Sequence, residues 1–240
     1  MLGRLRNRST ELEIMDDFQR GEKQLKSVLD DINRVNRILG GNAITISAVA
    51  KLIRENPQDR YVIIDVGCAD GAMLREIALY CRKRSIMADF IGIDLNAHAI
   101  QIAITASSDY PEIRFLEQDV FQLNQSDLNC DILITTLTTH HFTNEALPAL
   151  LAQFAGLAKI GFVNNDLHRS RVAFYLFKLF SMVFIKTETA KIDGLISIRK
   201  GFKKRDLMAF AKNLPHMRHF IEWKWAFRYV WIMQPNRPNA

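Results

Sequence analysis

Apolar positions along this 240-residue chain follow two rhythms, and each predicts a different element. Leu25, Val28, Leu29, Ile32, Val35, Ile38 and Leu39 recur at three- and four-residue intervals, the spacing of an amphipathic helix. Gly40-Gly41-Asn42 stops it, and a second helix over 44–55 ends before Pro57. From Tyr61 the rhythm changes. Residues 61–65 form a short apolar run, then comes the turn Gly67-Cys68-Ala69-Asp70-Gly71, then the helix-prone stretch AMLREIALYCRKR. This is the pattern of a buried parallel strand feeding a crossover helix. Similar runs follow at 89–94, 112–118, 131–136 and 159–164. Helical stretches separate them at 97–107, with Asn96 as N-cap, and at 144–156. Strands alternating with helices at this spacing predict βαβ units and a parallel sheet.

The last third reads differently. Residues 169–185 are apolar nearly all round yet fall short of the ~20 needed to span a bilayer. A core helix or the wall of a substrate pocket is expected, with peripheral membrane contact as the alternative. Residues 187–202 read as a loop, with Asp193-Gly194 as its turn signal. A short helix over 203–213 precedes two alternating strands, 218–225 and 227–233, with only Ala226 between them, so a hairpin is expected. The predicted fold is α/β: a doubly wound, mostly parallel seven-stranded sheet closed by an antiparallel C-terminal hairpin. Residues 1–58 form an N-terminal helical extension and residues 59–240 the main domain.

Composition adds little to this picture. Hydrophobic content of 48% and charged content of 24% are ordinary for a globular protein. Cys68, Cys81 and Cys130 have neither metal-ligand nor disulfide spacing, which suggests a reduced, cytoplasmic protein with no metal site. The start MLGRLRNRST carries charge without an apolar stretch, so no signal peptide is expected. A net charge of +6 points to nucleic acid, an anionic membrane, acidic substrates or an ordinary basic enzyme. No Lys/Arg run exceeds three: Arg4, Arg6 and Arg8 are spaced, and the clusters are Arg82-Lys83-Arg84, Arg199-Lys200 and Lys203-Lys204-Arg205. Dispersed charge of this kind favours the ordinary enzyme.

Three successive predicted strands end on an acid: Asp65, Asp94 and Asp119. In an open parallel sheet those ends line the crevice where ligands bind. Acids there suit a ligand rich in hydroxyl and amino donors, such as a nucleoside. Asp94 is placed to accept two ribose hydroxyls, Asp119 an exocyclic amine, and Asp65 an ammonium group. A dinucleotide site competes, but its fingerprint wants G-x-G-x-x-G, whereas this turn reads Gly67-x-x-x-Gly71. Asp65 and Asp70 would repel a pyrophosphate. A cationic nucleoside fits better.

With DVGCADG, Asp94 about thirty residues on, and Gln118-Asp119-Val120, the chain resembles the class I S-adenosylmethionine-dependent methyltransferases. That family's first motif usually reads D/E-x-G-x-G-x-G; here Ala69 replaces the middle glycine. The resemblance implies a Rossmann-like fold and S-adenosyl-L-methionine as cofactor. It places Asp65 and Gly67 near the methionine moiety, Asp94 on the ribose, and Asp119 with Val120 at the adenine. Cys68, Ala69, Gly71, Leu95 and Thr136 complete the implied cofactor-binding set. More narrowly, four segments resemble bacterial small-molecule methyltransferases of polyketide and quinone-type pathways. They are ELEIMDDF (11–18), RVNRILGG (34–41), NNDLHRSRVAFYLF (164–177) and DGLISIRKGF (193–202). That resemblance implies that the N-terminal helices lid a small, largely apolar acceptor, phenolic, quinone or polyketide-like.

Methyl transfer needs aligned reactants and, for a phenol or activated carbon, a general base. His168, after the fifth strand, is the first candidate, then His141 and His140 after the fourth; each is as readily a structural hydrogen-bonder. Adjacent histidines would point to different sides, so only one of the pair is expected to face the acceptor. Arg169 and Arg199 are candidates for an acidic or phenolate oxygen, with salt bridges to Asp166 or Asp193 as the competing role. Phe174, Tyr175 and Phe177 are candidates for an apolar wall or plain core. An RNA or tRNA methyltransferase is the competing enzyme reading. Against it, Thr135-Thr136-Leu137-Thr138 stands where amino-methylating enzymes carry an N-P-P-Y-like tetrapeptide, and no cysteine sits at a cytosine-type nucleophile position. A cofactor-binding accessory protein without turnover is the non-enzyme alternative. Monomer and homodimer are equally compatible with the sequence.

Overall fold

The computed structural model describes residues 5–16, 21–123 and 128–236. Arg4 and the final Asp17-Phe18 of the 11–18 segment lie outside these. Seven strands form one sheet: β1 (Arg60–Val66), β2 (Met87–Asp94), β3 (Ile113–Glu117), β4 (Ile132–Thr136), β5 (Gly161–Leu167), β6 (Met217–Lys224) and β7 (Arg228–Pro235). Their order is β3-β2-β1-β4-β5-β7-β6. The first five pair in parallel, while β7 runs antiparallel to both β5 and β6. The strand order reverses between β1 and β4, so a crevice opens at their carboxyl ends. The expected mostly parallel sheet and C-terminal hairpin are both present.

The strands are apolar on both faces because helices cover both. On one face α2 (Gly41–Glu55) and α3 (Ala72–Arg82) bury Val49, Leu52, Leu74 and Ile77 against Ile63, Ile132 and Ile232. On the other, α5 (Leu147–Leu157) buries Leu150, Leu151 and Phe154 against Ile64, Leu133 and Phe162. Helix α1 (Glu22–Ile38) lays its apolar stripe on α4 (Ala97–Ala106), through Leu25 and Leu29 against Ala99 and Ile102. Asn96 caps α4 as expected, its Oδ1 accepting from the His98 and Ala99 N–H groups. The final helices are α6 (Arg171–Phe184), α7 (Glu188–Lys200) and α8 (Lys204–Ala211).

Two expectations are corrected here. Residues 187–202 are not a loop: Thr187 caps α7, its hydroxyl accepting from the Ala190 N–H. Asp193-Gly194 lies inside that helix, and its chemistry serves packing rather than turning. A Cβ on Gly194 would lie 2.3 Å from the Phe177 ring, so glycine lets α6 and α7 meet. The Asp193 carboxylate accepts the Ile14 and Met15 N–H groups, fastening the N-terminal segment. Helix α6 is only half a wall. Ala173, Phe177 and Phe180 face inward to the cavity, while Val172, Tyr175, Leu179, Met182 and Val183 form an exposed apolar stripe.

Candidate functional site

The turn after β1 is built for close approach. Gly67 has φ of 73°, and a Cβ there would fall 2.3 Å from Thr138 Cγ2. The Gly67 and Cys68 N–H groups both donate to the Ile93 carbonyl, tying the turn to β2. Ala69 is left-handed at φ 48°. Asp94 holds it there: Oδ2 accepts the Ala69 N–H and Oδ1 the Asn96 N–H, each at 2.9 Å. Asp119 caps the 3-10 turn Val120–Gln122 by accepting from the Phe121 N–H. Asp65 is 2% exposed, and its Oδ1 has no partner among the described residues. Burial, and then the charge of Asp94, push its carboxyl well above the ordinary range. An orphaned acid beside a second acid is a site prepared for a cation.

These groups open on a cavity of about 790 Å³, in the upper part of the range that holds small ligands. Asp65, Gly67, Cys68, Ala69, Asp94, Leu95, Asp119, Val120 and Thr136 all line it. Gly71 does not. A Cβ on it would meet the Phe115 ring at 2.6 Å, so this glycine serves helix–strand packing under the turn. Beyond the acids the walls turn apolar, with Leu25, Leu29, Ile32 and Val35 from α1, Leu176, Phe177 and Phe180 from α6, and Trp225 and Phe227 from the hairpin.

The same cavity is lined by a charge cluster that local sequence pattern does not reveal. The 3-10 turn Thr139–His141 after β4 brings both histidines to the cavity, their ring centroids 4.3 Å apart. They share a side because successive residues of such a turn rotate by about 120°, not the 180° of a strand. His140, 2% exposed, places Nδ1 2.7 Å from Asp166 Oδ1 and Nε2 3.5 Å from Glu13 Oε1. His141 is half-buried, with Nδ1 3.2 Å from Asp16 Oδ1. The Lys200 ammonium completes the group at 3.2 Å from Glu13 Oε1. Burial alone would drive His140 neutral, but the Asp166 carboxylate, then Glu13, raise its pKa to about 9. The Glu13 carboxyl is pushed up by burial and pulled further down by His140, His141 and Lys200, to about 2. Arg8 pins this N-terminal segment across the sheet edge, donating to the carbonyls of Lys200, His140 and Phe142. Glu13, Asp16 and Lys200 lie within the 11–18 and 193–202 segments, where the sequence offered a resemblance but no role.

The other expected acceptor residues stand outside this cavity lining. His168 takes a hydrogen bond from Trp223 Nε1 at 3.2 Å and packs edge-on against Tyr229. Burial, with Lys203 and Arg169 nearby, lowers its pKa. Arg169 is fully buried, donating to the Gly201 carbonyl and to Asp206 Oδ2. Its acidic partner is thus Asp206 and not Asp166. Arg199 pairs with Glu11 at 2.8 Å, and Tyr175 lies on the exposed face of α6. For His168 the cause is that β5 runs to Leu167, three residues further than its apolar pattern suggested, so Asp166 meets His140 and His168 lies beyond.

Fold and site define a class: a Rossmann-like α/β protein with an acid-lined crevice at its switch point. A family model described as a methyltransferase domain matches residues 63–161, the segment that carries all three strand-end acids. Residues 63–161 are thus similar to a methyltransferase domain, at the segment that forms the crevice. Solved structures with this fold include the plantazolicin methyltransferase BpumL in complex with SAH, at 14% identity and a TM-score of 0.68, covering 92% of this chain and 94% of that one. The magnesium protoporphyrin IX methyltransferase ChlM from Synechocystis PCC 6803 is similar at 17% identity and a TM-score of 0.58, covering 84% and 87%. The CMeT domain of the citrinin polyketide synthase is similar at 10% identity and a TM-score of 0.57, covering 75% and 47%. No curated protein sequence matches the chain.

Proposed function

We propose that this protein is an S-adenosylmethionine-dependent methyltransferase that acts on a small, largely apolar acceptor, phenolic, quinone or polyketide-like, in the cytoplasm. The observation that carries the reading is one cavity lined by the strand-end acids, by a large set of apolar side chains and by the histidine pair. S-adenosylmethionine, when bound, supplies an electrophilic sulfonium methyl. Asp65 receives the cofactor's ammonium group, Asp94 its ribose hydroxyls, and Asp119 with Val120 its adenine. Apolar side chains of α1 and α6 exclude water from the acceptor and hold it in line, and the N-terminal residues 1–58 act as lid. His141, oriented through Nδ1 by Asp16, takes the acceptor proton on Nε2. His140, held as an imidazolium between Asp166 and Glu13, positions its neighbour. The three free, buried thiols support a reducing compartment.

A panel of phenols, hydroquinones and hydrophilic alcohols, assayed for methyl transfer, tests the acceptor class. Turnover confined to the hydrophilic members would overturn it. His141→Ala is expected to lower kcat on a productive acceptor by about 10²–10⁴-fold while S-adenosylhomocysteine affinity stays unchanged. Equal kcat in the variant would remove His141 from the chemistry.

Asp65 predicts a pH dependence for cofactor binding. In the free protein its pKa is raised. A bound ammonium group favours the ionised carboxylate, so binding expels a proton. S-adenosylhomocysteine affinity is therefore expected to rise with pH through the raised Asp65 pKa and then level off. Calorimetry in buffers of different ionisation enthalpy reads the released proton directly, and Asp65→Asn is expected to abolish that release.

A further inference from the structure

Arg228 is the arginine that the acceptor end of the cavity holds without an acid. It opens β7, is 3% exposed, and lines the cavity. Nη2 donates to Asn36 Oδ1 at 2.6 Å, whereas Nη1 is buried with no partner among the described residues. The acid charge that reaches it is that of Asp166, whose carboxylate is already taken by His140, Thr139 and the Leu167 N–H. Burial pushes the guanidinium down to about 10, the mark of a cation left uncompensated.

A second positive feature stands against it. Helix α2, fifteen residues long, begins at Gly41, and a Cβ there would lie 2.9 Å from Arg228 Cζ. Its N-cap is Gly40, which offers no side-chain acceptor to the first-turn N–H groups. Asn42, in that first turn, lines the same cavity as Arg228 and Asn36. A guanidinium and a helix N-terminus are both electropositive, so their meeting in a buried place is unfavourable until an anion sits between them.

We propose that Arg228 and the α2 N-terminus form a carboxylate-binding subsite for the methyl acceptor. The planar fork of arginine suits a carboxylate, and the helix N–H groups add donors to it. The strand order separates this subsite from the cofactor acids: β7 lies three strand spacings from β1, about 14 Å. The acceptor is then an apolar body with an acidic group at one end, a refinement that rests on the acceptor-site reading above. It also gives the anion-binding role expected of Arg169 and Arg199 to the arginine that is free to perform it.

The test uses 4-hydroxybenzoate and its neutral amide, titrated into the full chain loaded with S-adenosylhomocysteine. The wild type is expected to bind the acid at least about tenfold more tightly than the amide, as one charge-assisted pair implies. Arg228→Met is expected to erase that preference and to melt no lower than the wild type, since replacing a lone buried charge by an apolar side chain is commonly neutral or stabilising. Arg228→Lys, which keeps the charge and loses the fork, is expected to retain part of the preference and decides the matter should Arg228→Met fail to fold. Equal binding of acid and amide by the wild type, or a preference that survives in Arg228→Met, overturns the proposal. A loss of S-adenosylhomocysteine affinity in Arg228→Met with 5′-methylthioadenosine binding intact would also overturn it, by giving the subsite to the cofactor's carboxylate. Failure of the wild type to bind either nucleoside would instead sink the methyltransferase reading.

Discussion

Replacing Asp94 by alanine is expected to weaken S-adenosylhomocysteine binding by about 10²–10⁴-fold, because two hydrogen bonds to a charged acceptor, each worth ~1.5–3 kcal/mol, are lost together. Asp94 has two tasks, and alanine ends both. In the proposed site its carboxylate is the acceptor for the ribose hydroxyls. It also accepts the Ala69 and Asn96 N–H groups, which keeps the left-handed Ala69 in place and sets the turn that Gly67 makes narrow. Asp94→Asn separates the tasks, since the amide oxygen can still accept one N–H while the amide nitrogen cannot accept the other. An intermediate affinity for asparagine is the expected order. Calorimetric titration of the three proteins measures it, with thermal melting to confirm that each is folded. An affinity untouched by alanine would remove Asp94 from the cofactor site and the present assignment with it.

The acid-lined part of the cavity was legible because its chemistry is local. A strand, a tight turn and a helix follow one another in sequence, so Asp65, Gly67 and Ala69 could be placed from their neighbours alone. The acids of β2 and β3 needed one further rule, that carboxyl ends of parallel strands share a crevice. Gly71 shows the limit even here. A glycine kept clear for a ligand and one kept clear for Phe115 read identically until the packing is known.

The buried charge cluster resisted for a different reason. Glu13, His140, Asp166 and Lys200 are brought together from four separate segments, and buried charges leave no periodic trace. Asp193-Gly194 has the chemistry of a turn in isolation. Tertiary contacts override it, because Phe177 needs the missing Cβ and the N-terminal segment needs the carboxylate. Helix α6 misled through its composition. Apolar residues all round suggested full burial, yet the cavity takes one side and the other faces outward.

The buried charge cluster carries the second large effect, on stability. His140→Gln is expected to destabilise the protein at pH 6 by about 3–5 kcal/mol, the usual cost of removing one partner from a buried ion pair. Asp166 would be left with Thr139 and two backbone N–H groups but no cation at its centre. The pH dependence identifies the cause. The folded-state pKa of His140, about 9, lies above the ordinary 6.5. A raised histidine contributes stability that is fully present below about 6.5 and is lost as pH climbs through about 9. Wild-type stability is therefore expected to fall across that window, whereas His140→Gln, lacking the titrating group, stays level, and the two curves converge at alkaline pH. Asp166 adds the opposite limb: its carboxyl is pushed up by burial and pulled far down by His140, so its share is lost only in acid. Urea unfolding at intervals from pH 6 to 10 measures the difference. Curves that run parallel would show that His140 is neutral in the folded protein, and that Glu13 and Asp166 are balanced by Lys200 and hydrogen bonds alone.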